Sequence, residues 1–183
     1  MKIVEDFSAS AQKIVVFLEN EYKTVRSNRA NPAIIDKIKI DYYGSPTPIT
    51  QIASVSVTEA RVLCIQPWDI SVLNTIEKAI LKSDLGISPQ NNGKVIKIIF
   101  PPLSEELRKE IVKNIQKIAE DSKISVRNTR RDFLDKIKNL KKQGELPTDE
   151  VQRLEKQIQN IVDTYISQID DIKQKKIQQV MGG

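Results

Sequence analysis

SEELRKEIVKNIQKIAEDSKISVRNTRRDFLDKIKNLKK, residues 104–142, is the stretch whose reading decides the fold of this chain. Its residues Leu107, Ile111, Ile115, Ile118, Ser122, Val126, Thr129, Phe133, Ile137 and Leu140 step by four, four and three, repeatedly. That spacing, about 3.67 residues per turn, holds one stripe on one side of a straight helix. Ser104 stands where a helix cap is needed, and Glu105 and Glu106 put acids in the positive first turn. At about 1.5 Å per residue, a helix from Glu105 to Leu140 is a rod of roughly 50 Å. A helix that long with a single apolar stripe needs partner helices to cover it.

The partners lie on either side in sequence. Gln143-Gly144-Glu145-Leu146-Pro147 reads as a tight turn, and Thr148 as the cap of another long helix. The stripe of that helix is Val151, Leu154, Ile158, Ile161, Tyr165, Ile169 and Ile172, followed by a Gln/Lys-rich tail expected to fray. So short a connection makes the two helices antiparallel neighbours. Near the start of the chain, Val4, Phe7, Ala11, Ile14, Leu18, Tyr22 and Val25 form a third matching stripe. This helix is expected to run on toward Asn31, because Pro32 disfavours helical backbone in the residue before it.

Residues 33–100 have a different character. Ile38, Ile40 and Tyr42 alternate with polar residues, as do Ala53, Val55 and Val57, which is the period of half-buried strands. Arg61–Gln66 gives a short strand containing Cys64, read as a small buried hydrophobe, and Lys94–Phe100 gives a final one. Between them Asp69 or Ser71 caps a helix through about Lys82 with Val72, Ile76, Ala79 and Ile80 inward. Gly44–Pro48 reads as a rigid turn, and residues 83–93 as loop. The expected fold is α+β: a long antiparallel three-helix bundle from residues 1–30 and 104–183, with a small β/α/β domain, residues 31–103, inserted. Both crossings carry prolines (Pro32, and Pro101-Pro102), so Ala30, Asn31, Pro32, Pro101 and Pro102 are the expected hinge.

The chemistry available is narrow. There is no histidine, one cysteine and no Gly-rich phosphate loop, so neither a metal site, a cofactor nor a catalytic constellation is expected. No apolar run approaches the ~20 residues of a membrane span. A lone cysteine and an N-terminus without leader character point to a reducing, cytosolic setting.

Charge is the informative signal. Residues 122–142 hold eight Lys or Arg against two acids, more than the net +5 of the whole chain. At about 100° per residue from Val126, Arg130 falls at about 40°, Lys123 and Lys141 at about 60° and Arg127 at about 100°. Lys138 follows at about 120° and Arg131 at about 140°, with Lys109 and Lys113 further back on the same side. Residues 143–183 carry five basic and seven acidic residues, so the asymmetry belongs to one helix. Arginines in a lysine-rich chain supply planar forks for phosphate. Without interleaved aromatics to stack single-stranded bases, structured RNA met through its phosphates is the expected target. A solvated face in a Lys-rich protein is the plainer alternative. Arg26 and Arg29, spaced to share a helix face, read either as compensation of the helix dipole or as an extension of the basic surface.

Five segments in order resemble ribosome recycling factors: Val25–Pro32, Asp41–Pro48, Ser83–Ile87, Pro101–Glu106 and Val126–Asp132. The resemblance covers essentially the whole chain. It implies an L-shaped two-domain molecule, a three-helix bundle plus a β/α/β domain on two linkers. It implies a cytoplasmic monomer that binds the large ribosomal subunit after termination and, with elongation factor G and GTP, splits the ribosome. By the same resemblance, Arg26, Arg29, Arg127, Arg130 and Arg131 face ribosomal RNA, with Lys123 added from the charge pattern; Leu107 departs from the basic residue many relatives have there. The reading that competes is a coiled-coil module pairing with another protein's helices.

Overall fold

The computed structural model describes residues 2–27, 29–85 and 87–182; Asn28 and Gly86, which belong to two of the segments quoted above, lie outside the described residues. The chain divides into two compact units, Met1–Tyr22 with Val112–Gln178, and Lys23–Ile111 with Gln179–Gly183.

The first unit is helical. Helix α1 (Lys2–Lys23) buries Phe7, Ala11, Val15, Leu18 and Tyr22, steps of three and four that keep one stripe inward. Helix α3 (Glu105–Lys142) buries Ile115, Ala119, Ser122, Val126, Phe133 and Ile137, all but Ala119 on the stripe read from the sequence, whose other five members are half-buried. Phe133 meets Phe7 edge to face at 5.4 Å. At the other end the Tyr22 hydroxyl donates to the Ile115 carbonyl oxygen at 2.7 Å, so α1 and α3 run antiparallel. Burial pushes the Tyr22 phenol up to about 12. Helix α4 (Thr148–Met181) turns back from α3 through Gly144, whose φ of +76° is left-handed. The Glu145 N–H donates to the Leu140 carbonyl and the Gly144 N–H to that of Lys141, both at 3.0 Å, a Schellman closure that satisfies the helix end. Thr148 is the first helical residue rather than the cap, because the Val151 N–H donates to the Pro147 carbonyl. Nor does the Gln/Lys tail fray: α4 continues to Met181, with Lys176 and Val180 buried.

Helix α1 is shorter than expected. It stops at Lys23, and the Asn31 side-chain amide donates to the Lys23 carbonyl at 2.9 Å. The carbonyl of the same side chain accepts from Ala33 N–H at 3.0 Å and starts a 3-10 turn, Pro32–Ile35. One asparagine therefore ends one element and begins the next. Ala30 is buried, and its N–H donates to the Ala60 carbonyl at 2.8 Å, which draws the segment after α1 into the second unit.

That unit holds a two-stranded hairpin, β1 (Lys39–Tyr42) with β2 (Ser45–Pro48). Its four-stranded antiparallel sheet has the order β3-β4-β6-β5. The strands are β3 (Ala53–Glu59), β4 (Val62–Pro67), β5 (Pro89–Asn91) and β6 (Ile96–Ile99). Helix α2 (Leu73–Lys82) buries Leu73, Ile76 and Ile80. They pack on Ile34, Ile35, Ile40, Ile49, Leu63, Ile65, Ile96 and Ile98. Each such side chain contributes about 1.5–3 kcal/mol when fully buried. Gly44–Pro48 is thus strand as well as turn, and residues 83–93 include a strand. Both β2 and β5 are edge strands, where prolines are tolerated because no ladder N–H is missed. Cys64 is half-buried, alternating with the buried Leu63 and Ile65 and so on the face away from the core.

Candidate nucleic-acid interface

The flank read on α3 exists, but its cations are not equivalent. Arg127 and Arg131 are exposed and Arg130 is half-buried beside the stripe, as its angular position requires. Lys138 and Lys141 continue the exposed flank toward the helix end. Arg130 Nε is buried with no hydrogen-bond partner in the protein. The guanidinium is thereby positioned by packing, with one N–H unused.

Two features temper this flank. Glu120, at about 120° on the same projection, is exposed and its Oε1 lies 3.5 Å from Arg127 Nη1. The sequence reading overlooked it, although the angles that placed the arginines place it too. Lys123 is the larger change. Its Nζ sits 2.6 Å from Asp170 Oδ1 on α4, and its side chain is only 14% exposed. The hydrogen bond from Lys123 holds the Asp170 carboxyl below the usual carboxylate range against partial desolvation, and Lys173, at 3.4 Å, acts in the same direction. Lys123 therefore joins two helices, and its charge is balanced within the protein.

Arg26 and Arg29 belong to the second unit, on non-helical chain after α1. They do not share a helix face, because the helix has ended at Lys23. Arg26 Nη2 donates to the Pro101 carbonyl at 2.8 Å, and its guanidinium lies over the Phe100 ring at 6.0 Å. Desolvation lowers its pKa. Arg26 thus ties the first crossing to the second, while Phe100 N–H donates to the Arg61 carbonyl at 2.8 Å. Arg29 is exposed. Lys109 also falls in this unit, so the first unit's part of the flank begins at Lys113.

Among the described residues, no group of His, Cys, Asp and Glu could hold a metal ion, and no helix is long and apolar enough to cross a membrane. What the arrangement offers is a row of forked cationic donors on a rigid helix, suited to phosphate oxygens.

Comparison with known proteins points to one family. The family described as ribosome recycling factor matches residues 18–181. The ribosome-recycling factor of Acetivibrio thermocellus is 52% identical over 172 residues, 92% of this chain and 94% of that protein. That of Clostridium kluyveri is 53% identical over 169 residues, covering 92% and 91%. A solution structure of a ribosome recycling factor superposes with a TM-score of 0.78 at 35% identity, over 100% of this chain and 97% of the other. Models of the T. thermophilus factor and the E. coli elongation factor G bound to the E. coli post-termination complex include a chain 40% identical, with a TM-score of 0.67 over 98% and 97%. This chain belongs to the ribosome recycling factor family, whose members are translation factors rather than enzymes.

Proposed function

We propose that this protein binds the large subunit of the post-termination ribosome through the α3 flank. With elongation factor G and GTP hydrolysis by that partner, it then splits the ribosome into subunits. The observation that carries this reading is the row Arg127, Arg130 and Arg131 on one exposed flank of α3. Ribosomal RNA is a polyanion of fixed shape, and forked guanidinium groups on a rigid helix meet it without an ordering cost in the backbone. Arg29 is a further contact from the second unit. We assign Arg26 a positioning role at the crossing, and remove Lys123 from the contact set because its charge is balanced by Asp170.

The two crossings, Ala30-Asn31-Pro32 and Pro101-Pro102, serve as the pivot between an RNA-docked bundle and a β/α/β domain that acts with the GTPase. The protein acts as a monomer in the cytoplasm. In support, a neighbour of known structure belongs to an assembly of ribosome recycling factor, elongation factor G and a post-termination complex. The test is co-pelleting of Arg130→Ala with large subunits. Affinity falls by about 1–3 kcal/mol, roughly 5- to 150-fold, while the melting temperature stays near that of the parent. Unchanged pelleting removes Arg130 from the interface. A salt-insensitive, helix-mediated oligomer would instead favour the coiled-coil reading.

A further inference from the structure

The second unit carries a surface that RNA docking leaves unused. Tyr43 is 81% exposed, Trp68 70% and Ile70 62%, in a chain with only 5% aromatic residues. Asp69 joins them. It stands between Trp68 and Ile70, and its Oδ2 accepts from the Tyr43 hydroxyl at 3.3 Å while Oδ1 accepts from the Ser71 N–H at 3.0 Å. The hydrogen bonds from Ser71 hold this carboxyl below its usual range, with a smaller contribution from Tyr43.

The patch is also built rigidly. Tyr43 lies at φ +51°, followed by Gly44 at +83°, so the β1–β2 turn holds a tyrosine in backbone that bulky residues rarely adopt. Its ring is backed edge to face by Tyr42 at 4.6 Å, and Tyr42 packs against the unit's core. Folding gains little from side chains this exposed, and three of them adjoin one carboxylate, Tyr43 by hydrogen bond and Trp68 and Ile70 in sequence, the kind of exposed apolar surface that marks an interaction site. Tryptophan and tyrosine lead the residues that dominate such contacts.

Charge selects the occupant. Exposed aromatics take nucleic acid where a positive groove follows the backbone, whereas the centre of this patch is an anion that repels phosphate. An arginine on a protein suits it, because a guanidinium pairs with a carboxylate through two N–H groups and stacks on aromatic faces. We infer that Tyr43, Trp68, Asp69 and Ile70 form a docking patch for a basic protein surface that sets an arginine on Asp69 beside the two rings. The patch shares no residue with the α3 flank, and its assay rests on the recycling function proposed above.

The experiment compares Trp68→Ala, Asp69→Asn and Asp69→Lys with the parent, in large-subunit pelleting and in splitting of post-termination ribosomes by elongation factor G and GTP. Asn at position 69 still accepts from Ser71, so the local turn is kept while the charge is lost; unchanged circular dichroism melts check folding. The expected result is normal pelleting by all three, splitting slowed at least tenfold by Trp68→Ala and Asp69→Lys, and a smaller loss for Asp69→Asn. Parental splitting rates in the Asp69 variants would overturn the arginine assignment, and parental rates in all three would overturn the patch. Independently, Trp68→p-benzoylphenylalanine is irradiated in the same mixture. Adducts to a protein support the patch; adducts to RNA alone, or none, overturn it. If the parent neither pellets nor splits ribosomes, the recycling reading has failed, and the photo-adducts alone decide the patch.

Discussion

Replacing Lys123 by methionine separates a structural cation from a docking one on the same helix flank. The Lys123–Asp170 pair is short, 2.6 Å, with the lysine side chain 14% and the aspartate 42% exposed. Exposed ion pairs contribute about 0.2–1 kcal/mol, and breaking a fully buried one costs about 3–5 kcal/mol. Asp170 remains half open to water and keeps Lys173 at 3.4 Å, so the loss belongs near the lower range. Methionine retains the packing of the lysine stem. The expected destabilisation is about 1 kcal/mol, a fall in melting temperature of roughly 2–4 °C for a chain of this size. Because the folded-state pKa of Asp170 is lowered, the pair's contribution is present above the unfolded value of about 3.9. It is lost as pH falls through the folded value, so the difference between Lys123→Met and parent shrinks in acid. Calorimetry from pH 7 down to pH 3, with Asp170→Asn completing a double-mutant cycle, measures the stability effect. Co-pelleting measures docking, which is expected to stay within about twofold of the parent at full folding. A several-fold loss of large-subunit binding with an unchanged melting temperature would instead make Lys123 a docking cation and return it to the interface.

Other consequences are simpler to read. Burial of Lys176 lowers its pKa by desolvation, so the charged form opposes folding, and the penalty diminishes as pH rises between the folded value and about 10.4. Lys176→Met is therefore expected to raise stability by about 1 kcal/mol at pH 7 and by less at pH 10, in thermal melts. Tyr22→Phe removes the hydroxyl that donates to Ile115, and is expected to cost about 1–2 kcal/mol in denaturant titrations without changing docking at full folding.

The bundle was legible because its signal is repeated. A 4-4-3 stripe along a 38-residue helix leaves one helical phase that buries Ile115, Val126, Phe133 and Ile137 together, whatever their partners are. The end of α1 was not legible. Thr24 and Val25 continue its pattern, and what stops it is a side chain eight residues on, Asn31, together with pairing of Ala30 to Ala60. Edge strands were hidden by the prolines that mark turns elsewhere, at positions 46, 48 and 89. For the site, sequence supplied the charges and their angles. It could not supply the phase of α4, which turns Asp170 toward Lys123, nor the linker path that takes Arg26 to Pro101. Glu120 was within reach of the same projection. The exposed Tyr43 and Trp68 left no sequence signal, since alternation alone cannot separate a turn aromatic that packs from one presented to solvent.

Docking of the α3 arginines on RNA phosphates makes binding depend on salt. Binding to large subunits is measured across potassium chloride concentrations for the parent and for Arg127→Ala/Arg130→Ala/Arg131→Ala. Each phosphate contact contributes about 0.7–0.9 to the slope of log affinity against log salt. The expected result is a steep parental decline and a slope shallower by about two to three in the triple variant. Equal slopes in the two proteins would contradict it.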